Sequence, residues 1–307
     1  MLKHLLKKFL ILAASLWVVA TLTFVLIHVV PGNPFAEEQT SHEIIETLYR
    51  YYGFDQPLWD QYIIYLKNLL QGDLGQSLKY IGRSSVSIIS DGFPISLTLG
   101  MEALFISIGL GLTLGSISAL KRGSWQDRCI MIGAVLGISV PSFILATILQ
   151  YLFAMQLDWF PVARWGTFQQ SVLPALSLAV FPTAIVARLT QTSMVEVLQQ
   201  DYILTAKAKG LSTFQIITRH AIRNTILPVV SYIGPLIANV LTGSFVVEKI
   251  FGIPGLGQWF VMSVSNRDYS LIMALTMFYS TFLMLTVFIV DVIYAWIDPR
   301  IKKVGRA

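Results

Sequence analysis

Residues 9–30 read FLILAASLWVVATLTFVLIHVV, a run with no Lys, Arg, Asp or Glu. A helix of about 20 apolar residues crosses roughly 30 Å of hydrocarbon, and in that medium only a helix or a closed barrel satisfies its own backbone. The run therefore predicts a membrane-spanning helix. Outward from it, five more segments share its character: Ile95–Leu120 with Glu102 as its only charge, Cys129–Leu152, Phe168–Ala187, Thr225–Val247, and Tyr269–Ile297 interrupted only by Asp291. None shows the polar face of a helix buried in a soluble core. Composition agrees: of 307 residues 55% are hydrophobic and only 13% charged, against roughly 25% charged in an ordinary soluble domain. Too little polar surface remains to clothe a water-soluble enzyme. The expected fold class is an all-α polytopic membrane protein with six transmembrane helices.

Six spans put both chain ends on one side, and cation placement says which. With the N-terminus inside, the inner segments hold Lys3, Lys7, Lys8, Lys121, Arg122, Arg128, Arg188, Lys207, Lys209, Arg219, Arg223, Arg300, Lys302, Lys303 and Arg306. The outer loops hold Arg50, Lys67, Lys79, Arg83, Arg164, Lys249 and Arg267, together with most of the acids, among them Glu37, Glu38, Asp55, Asp60, Asp73 and Asp91. Both termini are expected in the cytoplasm. The net charge of +5 thus reflects membrane orientation, and no nucleic-acid partner is expected. The first span is longer than a secretory signal core and lacks a small-x-small cleavage site, so it is expected to stay as an anchor. Cys129 is the one cysteine, which excludes an internal disulfide or a Cys-rich metal site. The organisation expected is a cytoplasmic tail and first span (1–30), an extracytoplasmic loop (31–94), a transmembrane core of five helices (95–297) containing a cytoplasmic loop at 196–224, and a cytoplasmic tail (298–307).

The extracytoplasmic loop opens with Pro31-Gly-Asn-Pro34, which must turn. Ser41–Tyr52 suits a short helix, and Leu58–Leu70 puts Trp59, Tyr62, Ile63, Leu66, Leu69 and Leu70 near one stripe, fit for the membrane surface or for other helices. Gly111-Leu-Thr-Leu-Gly115 and Gly133-Ala-Val-Leu-Gly137 are GxxxG patterns that permit close helix approach. Pro141, Pro174, Pro182 and Pro235 are candidates to kink their helices.

The loop after the fourth span reads Gln200-Asp-Tyr-Ile-Leu-Thr-Ala-Lys-Ala-Lys-Gly210-Leu-Ser-Thr-Phe-Gln-Ile-Ile-Thr-Arg-His220-Ala-Ile-Arg-Asn-Thr-Ile-Leu-Pro228. Asp201 can cap a helix over 201–209, with Lys207 and Lys209 near its negative end. Gly210 fits the position just past that end, and Ser212-Thr-Phe-Gln215 matches a capping box that starts a second helix. Two short helices meeting at Gly210–Leu211 are predicted. Leu204, Ala208, Leu211, Phe214, Ile217 and Ala221 alternate with cations, a pattern suited to an apolar knuckle with a basic rim; an idle interfacial loop is the alternative reading of the spacing.

At these residues the chain resembles the inner-membrane permease subunits of binding-protein-dependent ABC importers, of the oligopeptide and dipeptide permease B type. Of the family's general signature, Glu-Ala-Ala, three residues, then Gly, only Ala206 and Gly210 match. The peptide branch reads Thr-Ala-x-Ala-Lys-Gly-Leu-Ser followed by Arg-His-Ala-x-Arg-Asn, and Thr205–Ser212 and Arg219–Asn224 reproduce it. The likeness extends to Val30–Pro34, Asp55-Gln-Pro57, Gly72-Asp-Leu-Gly75, Val246–Glu248 with Phe251–Gly257, and Asp298-Pro-Arg300.

The resemblance implies the fold of a type I importer permease and an ATP-driven uptake of short peptides. It implies that Leu204, Thr205, Ala206, Ala208, Gly210, Leu211, Ser212, Phe214, Arg219, His220 and Arg223 form the loop that docks into an ATPase subunit. The implied partners are a second, related permease subunit, two ABC ATPase subunits that bind ATP and Mg, an extracytoplasmic solute-binding protein, and membrane lipid. No cofactor is expected on this chain and no catalysis: it has neither a Gly-x-x-x-x-Gly-Lys-Ser/Thr phosphate loop nor His-Glu-x-x-His. Glu102 and Asp291 are candidates for a pathway or gating role, because an intramembrane acid is costly; interfacial snorkelling or pairing with a neighbouring subunit also accounts for them. His28 reads as interfacial and His220 as a contact or capping residue. An ion-coupled carrier or a non-transporting scaffold competes with the importer, and nickel or glutathione with peptide as cargo.

Overall fold

The computed structural model describes residues 2–29, 53–80, 82–241 and 245–297. The Pro31–Pro34 turn, the Ser41–Tyr52 segment and Asp298-Pro-Arg300 lie outside them, as does the Asp291 side chain. The described residues are helical, with one isolated antiparallel bridge between Gln76 and Ser84. In chain order the helices are α1 Leu2–Val29, α2 Leu58–Leu70, α3 Ser85–Leu120, α4 Trp125–Ser139, α5 Ser142–Leu149 continued by a π-helical stretch Gln150–Gln156, α6 Phe168–Leu198, α7 Asp201–Ala208, and α8 Thr213–Ile216 followed by a π-helical turn Ile217–Ala221. They continue with α9 Ile222–Leu241, α10 Phe245–Phe251, α11 Leu256–Ser265 and α12 Tyr269–Ile297.

Four of the helices, α1, α3, α6 and α12, are long and apolar enough to cross a membrane, and α4 with α5 makes a fifth if that bent pair is one span. The expected third span is thus broken, with 107° between its halves. Pro141 explains the break. It has no N–H to continue the ladder, and it pushes the preceding residue out of the helical region; Val140 accordingly sits at φ −86, ψ 120, and Pro141 becomes the residue that opens α5. Pro174 and Pro182, in contrast, lie inside a continuous α6. The expected second span starts ten residues early, at Ser85, and carries Pro94 within it. Over the expected fifth span the described residues are helical in α9 and α10, and residues 242–244 lie outside the description.

The chain divides into two compact units, Met1–Pro94 with Gly255–Met284, and Ile95–Pro254 with Leu285–Ala307. In the first, Ile88, Ile89, Leu256, Leu271 and Leu275 form the buried centre. Asp268, fully buried, ties the loop before α3 to the start of α12: its carboxylate accepts from Ser77 Oγ, from the Leu78 N–H at 3.0 Å and from the Leu271 N–H at 3.1 Å. The α2 stripe is divided. Tyr62 is buried on α1, its hydroxyl 2.7 Å from Thr21 Oγ1, while Trp59, Ile63 and Leu70 are exposed.

In the second unit, α6 is the central helix. Leu99, Ala146, Leu173, Val247, Phe251 and Ile253 cluster around its first half, and Glu248, fully buried on α10, accepts from Ser96 Oγ at 2.8 Å. The first GxxxG pattern is a real seam. A Cβ on Gly115 would stand 2.4 Å from the Ala187 carbonyl oxygen, and one on Gly111 would stand 2.6 Å from Val186 Cβ. In the second pattern only Gly137 meets α6, 3.1 Å from Val180 Cγ1, and Gly133 faces open space. Gly115→Ala should therefore force α3 from α6 and cost about 1–3 kcal/mol, whereas Gly133→Ala should be neutral or slightly stabilising. Thermal unfolding of the two variants in detergent checks the contrast; equal midpoints would refute the seam.

Candidate coupling surface

The loop after α6 folds by local rules. Gln200, at φ −75, ψ 148, occupies the position before α7, so Asp201 is the first helical residue rather than the cap expected of it. There its carboxylate still faces the positive end of the helix dipole. The helix ends in a Schellman motif: the Leu211 N–H donates to the Ala206 carbonyl at 3.3 Å and the Gly210 N–H to the Lys207 carbonyl at 2.9 Å. That closure needs a left-handed residue, and Gly210 supplies it at φ +77. Two residues on, Ser212 and Gln215 form a reciprocal capping box. The Ser212 N–H donates to Gln215 Oε1 at 3.0 Å and the Gln215 N–H to Ser212 Oγ at 3.3 Å, which satisfies two otherwise orphaned donors. The chain thus turns between α7 and α8 with its backbone bonds largely accounted for.

The side chains sort into two faces. Ile203, Ala206, Ile216 and Ala221 are buried with Ala119, Met194 and Val197, and Leu211, Ile217 and Ile222 pack partly against them. Fully burying an Ile is worth about 1.5–3 kcal/mol, so this footing fixes the bend from beneath. Ala206, Leu211, Ile217 and Ala221 consequently belong to the support and not to an outer knuckle. From Ile217 to Ala221 the turn is π-helical, and an extra residue in a turn rotates the face that follows it, which brings Ala221 inward. On the outer side stand Phe214 at 74% exposure, Leu204 at 55% and Tyr202 at 41%, with Thr205, Lys207, Ala208, Lys209, Ser212, Arg219 and Arg223 exposed and His220 half-buried. Tyr202 is held by Asn224, whose side-chain amide donates to its hydroxyl at 2.8 Å. The outer side of the loop, its ridge, thus exposes the apolar side chains Tyr202, Leu204 and Phe214 among cations.

Glu102 is half-buried on α3. His28 is engaged at the end of α1, its Nδ1 2.8 Å from the Phe24 carbonyl and its Nε2 3.2 Å from Gln61 Oε1. It also lines a cavity of about 480 Å³ bordered by Phe54, Tyr65, Asp73 and Gln76. Burial, and then the neighbouring Tyr62, push the Tyr65 phenol up to about 12. Three buried carboxylates escaped the sequence reading: Asp127, Glu248 and Asp268. Only Asp127 carries a local signal, standing three residues after the capping Ser124, whose Oγ accepts its N–H. Among the described residues no three His, Cys, Asp or Glu side chains gather as a metal site would need.

The loop after α6 is thus a supported, bent element with exposed apolar side chains on its outer side. Residues 111–303 match the binding-protein-dependent transport system inner membrane component family, and residues 1–99 match the N-terminal region of the same membrane components. The chain belongs to that family of permeases. It is 51% identical over 303 residues to the dipeptide transport system permease protein DppB of Bacillus subtilis strain 168, covering 98% of each chain. It is 40% identical to the oligopeptide transport system permease protein OppB of Escherichia coli K12, covering 98% of this chain and all of that one. Among solved structures, the inward-facing MetNI methionine ABC transporter is similar over 69% of this chain and 97% of that one, with a TM-score of 0.56 at 16% identity; that likeness speaks for the fold alone.

Proposed function

We propose that this chain is one of two transmembrane subunits of an ATP-driven importer for dipeptides and oligopeptides, and that the ridge of Tyr202, Leu204 and Phe214 is where an ATPase subunit takes hold. The carrying observation is the two-faced loop: an outer apolar ridge that a lone soluble surface has no reason to keep, held on a buried footing that makes it rigid. Peptide as cargo rests on the names of the DppB and OppB relatives, which align over nearly the whole chain. A second, related permease subunit completes the pathway, two ATPase subunits bind ATP and Mg, and an extracytoplasmic binding protein delivers peptide. Both termini lie in the cytoplasm, and Glu102 and Asp291 border the pathway or its gate.

In this arrangement the chain does no chemistry. Closure of the ATPase pair displaces α7 and α8, and because only Gln199 and Gln200 separate α7 from α6, the push reaches the central helix directly. Six further spans from the second subunit would complete the opening. Reconstitution in vesicles with the companion subunits tests the proposal. Uptake of a labelled dipeptide should require both ATP and the binding protein; uptake driven by an ion gradient with this chain alone would overturn it.

A further inference from the structure

Asp127 is a buried carboxylate that has no part in the exposed ridge. Its Oδ1 accepts from Ser118 Oγ at 2.5 Å and from Gln191 Nε2 at 2.9 Å, and its Oδ2 accepts from the Gly123 N–H at 2.9 Å. Those donors come from three places: the last turn of α3, the turn joining α3 to α4, and α6. Asp127 itself is in the first turn of α4. One side chain therefore binds α3, α4 and α6 together at the end of the molecule that carries the ridge. A carboxylate is costly to bury, and three converging donors are what makes it tolerable there; a neutral core residue would have closed the same gap more cheaply.

The position within the seam matters as much as the bonds. Moving along α6, Val186 faces Gly111, Ala187 and Thr190 face Gly115, and Gln191 reaches Asp127. The next elements along the chain are the end of α6 at Leu198 and then α7. The apolar seam is held by close contact, an attraction without directional preference. The polar latch at its end supplies directional bonds.

We propose that Asp127 is a positioning residue that locks α3 and α4 to α6, so that displacement of the α7–α8 ridge is passed into the Gly111–Gly115 seam instead of being absorbed in the 121–124 turn. This rests on the importer reading. Without the latch, the push from the ATPase moves α6 but leaves α3 and α4 behind, and nucleotide is spent without opening the pathway.

The test uses the full complex in vesicles with labelled dipeptide and ATP. Asp127→Asn leaves an amide N–H₂ where an acceptor is needed, and Gln191→Glu sets two carboxylates against each other. Each alone should lower peptide moved per ATP about tenfold, within the range of typical coupling energies, while ATP hydrolysis stays within about twofold of the parent. The double variant reverses donor and acceptor and should recover most of the ratio. An unchanged ratio in both single variants overturns the latch, and so does joint loss of transport and hydrolysis without recovery in the double variant, which is what a merely structural role predicts. Hydrogen exchange separates this from failure of the importer reading. Even if the parent complex moves no peptide, Asp127→Asn should speed amide exchange over 118–128 and 188–198 together by about tenfold or more, and unchanged exchange in either stretch sinks the latch.

Discussion

Replacing Gly210 with valine is expected to abolish peptide uptake while the chain still inserts in the membrane. The position is left-handed, at φ +77, a conformation that costs an ordinary L-residue roughly 1–2 kcal/mol and a β-branched one more. Nothing lies within 4 Å of a Cβ built there, so the penalty is backbone strain and not a clash. The strain is relieved by opening the Schellman closure, which frees the Ala206 and Lys207 carbonyls and changes the angle between α7 and α8. Gly210→Asn should behave close to the parent, since Asn tolerates that region best after Gly. Vesicle uptake, with membrane content read by immunoblot, gives the comparison. Equal uptake by the valine and asparagine variants would refute the role given to the bend.

Phe214→Glu is expected to have a comparable effect on uptake by a different route. Phe214 is the most exposed member of the ridge and takes no part in the buried footing, which is formed by Ile203, Ala206, Ile216 and Ala221. Its replacement should leave the fold and melting temperature unchanged. A buried aromatic anchor at an interface is commonly worth about 2 kcal/mol or more, so binding of the ATPase subunits to the permease should weaken by about 30-fold or more. Leu204→Glu should act in the same direction and less strongly. Pull-down of the ATPase subunits by the purified permease reads the effect; retained binding by Phe214→Glu would place the docking face elsewhere.

Much of this architecture is legible in the chain because it is enforced locally. Residues 9–29 form a helix for want of any polar alternative in a membrane, and the loop at 200–216 is specified by Gly210, Ser212 and Gln215 within a few residues of one another. The break at Pro141 was foreshadowed only as a kink: a proline announces a lost hydrogen bond, but whether the helix bends or ends depends on what its neighbours pack against. The GxxxG patterns show the same limit. Gly111–Gly115 and Gly133–Gly137 look alike in sequence, yet only a facing helix gives such a spacing meaning, and Gly133 has none. An α-helical period read through 217–221 puts Ala221 on the outer face, and the π-helical turn there moves it inward.

The buried carboxylates were illegible for a plainer reason. Asp127 meets Gln191 across 64 positions, Glu248 meets Ser96 across 152, and Asp268 meets Ser77 across 191. No local pattern encodes a partner so remote. In a sequence such residues look like ordinary loop or interfacial acids, and only the fold shows that each one holds separate segments together.

The division of labour within the bent loop also bears on how such subunits diversify. The buried residues beneath the bend pack on the chain's own helices, whereas Tyr202, Leu204 and Phe214 stand on its outer side. On the proposed docking, substitution of these three side chains changes which motor is recognised at little cost to folding. Gene duplication could therefore yield paralogues that share a scaffold yet answer to different engines, with the selectivity rewritten in a handful of codons.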